Sequence, residues 1–75
     1  MKNHKPYLSK LSGFVSTPRM WTGFNEMLDA TIEIHQKKLE QSIEPVDMYK
    51  AQGAIQVLRH LKYLRDEVNA SQKAN

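Results

Sequence analysis

No cysteine occurs in these 75 residues, so neither a disulfide nor a thiolate metal site is available, and nothing marks a redox compartment. Glycine is scarce, three residues in all, and none sits in a nucleophile elbow or a Gly-rich phosphate loop. No apolar run approaches the roughly 20 residues of a transmembrane helix, so no membrane partner is expected. Met1-Lys2-Asn3-His4-Lys5-Pro6 leads into no apolar h-region, which argues against a signal peptide and for an intracellular origin. Without secretion, Asn69-Ala70-Ser71 is a chance match to the glycosylation sequon.

The same poverty extends to catalytic groups. Ser9, Ser12, Ser16, Ser42 and Ser71 fall in expected loops or chain ends, and no base is placed to activate them. Acidic side chains lie on expected solvent faces at salt-bridge spacing, as Glu33 does with Lys37. His4, His35 and His60 share no helical spacing and no carboxylate cluster completes a metal site. The chain is therefore not expected to be an enzyme, and no cofactor, metal or small-molecule substrate is expected.

What is present is helical periodicity. Trp21, Phe24, Leu28, Ile32, Leu39 and Ile43 recur three or four residues apart, with one seven-residue gap that His35 falls within. Met48, Ala51, Ile55, Leu58, Leu61, Leu64 and Val68 repeat the pattern. Thr17-Pro18 suits the start of one helix; Pro45, with Glu44 and Asp47 at the positive end of the dipole, suits the start of another. The spacing predicts helices over Pro18 to Ser42 and Pro45 to Asn69. A joint as short as Glu44-Pro45 makes them antiparallel neighbours.

The expected fold class is all-α: an antiparallel two-helix hairpin (17–69) with an extended N-terminal arm (1–16) and a polar tail (70–75). One seam is a small core for this length, so a weakly folded monomer that gains stability on association is expected. The apolar arc of the second helix spans close to half its circumference. A two-helix contact needs less, which leaves part of the arc for a third element.

Two surfaces are candidate partner-binding sites. The arm carries Tyr7, Leu8, Leu11 and Phe14, more apolar than a free tail needs, while Pro6, Ser12 and Gly13 break any long helix. It lies against another surface or folds back over its own hairpin. Removing Met1 to Ser16 is expected to spare helicity and weaken association. The second surface is the polar half of the second helix, with Tyr49, Gly53, Gln56, Arg59 and Tyr63. Tyrosine and arginine are typical of interface hot spots, and a mid-helix glycine suits close approach of another backbone. The plainer alternative is a solvated face. His35, the polar residue of the first stripe, reads as a hydrogen-bonded seam histidine before it reads as a pH switch or ligand.

Charge offers a rival partner. The whole net charge of +3 sits on the arm (Lys2, Lys5, Lys10), since from Thr17 onward eight basic residues face eight acidic ones. Such an arm suits nucleic acid or an acidic protein surface. On the second helix Arg59, Lys62 and Arg65 form a loose basic cluster, diluted by Asp66 and Glu67. Nucleic acid is thus a secondary reading.

The run Asp47-Met48-Tyr49-Lys50-Ala51-Gln52-Gly53-Ala54-Ile55-Gln56-Val57-Leu58 resembles a segment of small helical-hairpin proteins encoded in the virion and packaging gene clusters of tailed bacteriophages. There an acidic-x-Tyr-x-x-Gln-Gly-x-Ile-x-x-Leu pattern opens the second helix of a hairpin. The resemblance covers about a dozen residues and carries over no catalytic residue. It implies a minor structural or assembly component, found in the virion or, before assembly, in the host cytoplasm. Its partner would be a larger protein assembly (capsid, neck or tail proteins) or further copies of itself. The alternatives are a small phage-encoded regulator that blocks a host protein, and a basic DNA-associated protein.

Overall fold

A computed structural model describes residues 5–73, and within them the chain is all-α. Five helices follow in order: α1 (Tyr7–Lys10), α2 (Ser12–Ser16), α3 (Pro18–Gln41), α4 (Pro45–Leu61) and α5 (Leu64–Lys73). Both long helices begin as their prolines require, each with Pro at the first turn after an extended residue, Thr17 or Glu44. Neither of those residues caps its helix through its side chain. The Thr17 hydroxyl instead donates backwards to the Gly13 carbonyl at 2.7 Å, closing the end of α2.

α4 returns alongside α3. Lys62 meets Asp29 near one end, and near the turn Ala51 and Asp47 share a groove with His35 and Lys38. The seam is built on Leu28, Ile32, Ala51 and Ile55, all buried. Leu28 is only 1% exposed, as expected for a residue at the centre of its helix's apolar stripe.

Three expectations require correction. The N-terminal segment is not extended: residues 7–16 form α1 and α2, which pack on α5, with α2 also on α3. Leu8, Leu11 and Val15 are three and four apart, one helical face, and burying that face outweighs the breakers Ser12 and Gly13. Nor does the second helix run unbroken to Asn69. It stops at Leu61 and resumes at Leu64, with Lys62 and Tyr63 donating back only three residues, to Arg59 and His60. The polar tail is not separate either, because α5 continues through Ala70 to Lys73.

The second core is therefore assembled from both ends of the chain. Leu8, Val15, Trp21 and Val68 are buried together, with Leu11, Phe14, Phe24 and Leu64 packed around them. Val68, the last apolar residue of the pattern expected for the second helix, belongs here and is completely buried. Phe14, Trp21 and Phe24 touch pairwise, two pairs edge-to-face with centroids 6.1 and 5.2 Å apart. The Arg65 guanidinium lies 5.6 Å from the Trp21 ring centroid. The N-terminal segment thus covers the α5 end of the wide arc, while Val46 and Val57 of α4 stay exposed.

The resulting body is flat, with principal extents of 48 × 32 × 13 Å. Its radius of gyration is 15.5 Å, against about 11 Å for a compact domain of this length. It exposes 5896 Å², where a compact monomer of this mass would expose about 4,700 Å². No helix among the described residues is long and apolar enough to cross a membrane.

Candidate functional site

The two candidate surfaces meet different fates. In the N-terminal segment, Leu8 is buried, Leu11 and Phe14 are half-buried against the core, and Tyr7 alone of the four stays exposed. These apolar side chains are spent within the molecule, so three of the four proposed docking residues are core residues. The segment's charge is partly spent too: the Lys5 ammonium lies 3.7 Å from the Glu67 carboxylate. Residues 1–4, with Lys2, lie outside the described residues.

The α4 surface stays open. With 100° per residue, Val46, Tyr49, Gly53, Val57 and His60 fall within one stripe of α4, opposite the buried Ala51 and Ile55. Tyr49 is 71% exposed, Val46 and Val57 are similarly open, and Gln56 stands exposed beside them. Ile43, just before the helix, is 90% exposed at the turn, where it lines a groove with Asp47, Lys50 and Ala51 rather than the stripe. Arg59 and Tyr63 lie elsewhere: they line a shallow groove of about 470 Å³ with Asp29, Ile32 and Lys62. The proposed nine residues thus form no single site. Tyr49, Gly53 and Gln56 share one face, and Val46 and Val57 join them.

Gly53 does not mark a close approach inside the chain. A Cβ placed on it would meet nothing within 4 Å. Its helix already has the conformation alanine prefers, so Gly53→Ala should raise stability by about 0.5–1 kcal/mol. Urea unfolding of the two forms would measure it; a loss of stability would mean that the glycine answers a backbone requirement.

His35 is half-buried and lines an open groove of about 680 Å³ at the turn, with Lys38, Ser42, Glu44, Asp47 and Lys50 among its neighbours. The Ser42 hydroxyl is engaged with the Lys38 carbonyl, and the charges around the groove are mixed in sign. No group of three or more His, Asp or Glu side chains among the described residues is placed to hold a metal. Of the basic cluster, Lys62 is paired with Asp29 and Arg65 is stacked on Trp21, which leaves no continuous cationic face on α4 and α5. Comparison with protein-family models, curated proteins and solved structures finds no match for this chain.

Proposed function

We propose that this chain is a small structural or assembly protein that docks on a larger protein assembly through the outer face of α4, most concretely as a minor component of a tailed-phage virion. The observation that carries this reading is the exposed stripe Val46, Tyr49, Val57, opposite the buried face of the same helix. A helix turned entirely to solvent on that side would carry charge there. A tyrosine flanked by valines and an open glycine is suited to burial against another protein.

The phage-like segment divides in a way that supports the reading. Ile55 and Leu58 of that segment face inward, while Tyr49, Gln52 and Gly53 face outward. Packing explains the first pair. The outward three contribute nothing to the core, so a docking partner gives them a use.

The test pairs two variants in particles purified intact. The wild-type chain should be retained at fixed copy number, and Gly53→Leu and Tyr49→Ala should each lower retention at least about tenfold. Helicity should survive in both, and Gly53→Leu should even gain from its better propensity. Wild-type chain missing from the particles would sink the virion reading and leave a regulator of a host protein.

A further inference from the structure

The geometry points to a second copy of this chain as the occupant of the open face of α3, packed antiparallel through Met20, Gly23, Met27, Ala30 and Ile34. This face is separate from the α4 stripe and does not rest on the virion reading.

Met20, Met27 and Ile34 are spaced by seven and are 52%, 55% and 54% exposed. Seven residues advance a helix by two turns less about 20°, so the three side chains form one nearly axial row. The row lies on the wheel about 80–160° from Leu28 and Ile32, which face α4. Between its large side chains stand Gly23 and Ala30, also seven apart and exposed. A Cβ on Gly23 would meet nothing within 4 Å, so the slot beside it is empty in the monomer.

Large and small residues so interleaved fit their own reverse. In an antiparallel pair whose matched positions sum to 57, Ile34 falls on Gly23 of the second copy and Met27 on its Ala30. The two-fold repeats both pairs, giving four layers that each match a bulky side chain to a gap, and Met20 at the end of the row meets the Lys37 stem of the second copy. A parallel pair would instead stack Met27 on Met27, Gly23 on Gly23 and Lys37 on Lys37, with voids and like charges. The antiparallel flanks also bring Arg19 towards Glu40 of the second copy. Glu26 then faces Glu33 of the second copy, a carboxylate already 3.6 Å from its own Lys37.

The chain exposes about 1,200 Å² more than a compact monomer of its mass, while one side of a standard interface takes about 800 Å². Neither α4 nor the N-terminal helices cover the face.

The full chain should show a concentration-dependent monomer–dimer equilibrium by sedimentation. Gly23→Leu fills the slot that receives Ile34 and should weaken the dimer at least about tenfold, with helicity retained or increased. Since the chain has no cysteine, cross-linking reads the register cleanly. The double variant Gly23→Cys/Ile34→Cys should oxidise to a covalent dimer. Gly23→Cys alone should not, because its two copies would be about 16 Å apart along the axis. Gly53→Leu should leave the dimer intact, which separates this face from α4. A chain monomeric up to about 1 mM, an unchanged dimer in Gly23→Leu, or ready cross-linking of Gly23→Cys alone would each overturn the proposal.

Discussion

Trp21→Ala will dismantle the second core of this protein. Trp21 ties three of its elements together: it touches Phe14 from α2 and Phe24 on its own helix, and it underlies Arg65 from α5. Truncating a buried tryptophan costs about 3–5 kcal/mol, which is the whole stability a chain of this size usually has. The neighbours cannot close the gap, because Phe24 is fixed on α3 beside Trp21, Phe14 is held by the short helix α2, and the Trp21 backbone carbonyl accepts from the Asn25 side chain at 2.9 Å. Amide hydrogen exchange at 25 °C should report lost protection in 7–16 and 64–73, with the α3–α4 seam around 28–32 and 51–55 still protected. A cooperative melt within a few degrees of wild type would show that the Trp21 cluster is not the stabilising core described above.

Deleting residues 1–16 should release α5 while sparing the α3–α4 pair. The deletion removes Leu8 and Val15, each worth about 1.5–3 kcal/mol when fully buried, and uncovers Trp21 and Val68. α5 has ten residues, too few to persist alone in water, and loses the surface it docks on. The seam of Leu28, Ile32, Ala51 and Ile55 makes no use of the deleted segment. Amide hydrogen exchange would separate the outcomes: protection should vanish from 64–73 and persist around 28–32 and 51–55. Full protection of 64–73 in the shortened chain would contradict this core. This narrows the expectation from sequence alone: helicity should survive the deletion in α3 and α4 and be lost from α5.

The two long helices were legible because their apolar spacing and their prolines agree, and α3 ends within a residue of the expected Ser42. The N-terminal helices were less so. Leu8, Leu11 and Val15 carry helical spacing, but Pro6, Ser12 and Gly13 outweigh it when propensity is counted without the tertiary contacts that stabilise such short helices. The break at Lys62–Tyr63 had a signal in the register. Ile55, Leu58, Leu61 and Leu64 are spaced by threes, and each step of three turns back 60° on an α-helix. No straight α-helix keeps all four on one seam, whereas a tighter i→i+3 turn resets them. At the α4 surface, Tyr49 and Gly53 could be read as outward from the wheel. That Arg59 and Tyr63 leave the stripe depends on how α4 ends and the chain turns, which spacing alone does not specify.

The partnership of Leu8 with Val68 also has a history in time. A chain made from its N-terminus displays Leu8, Val15 and Trp21 long before Val68 exists to cover them, and about 60 residues must be looped to bring the two together. α3 and α4, joined by three residues, can meet as soon as both are made. Synthesis therefore passes through a stage with a formed helix pair and a naked aromatic cluster. A truncated product ending before α5 should aggregate through that cluster or be degraded, and the aggregation should be relieved by supplying α5 as a separate peptide.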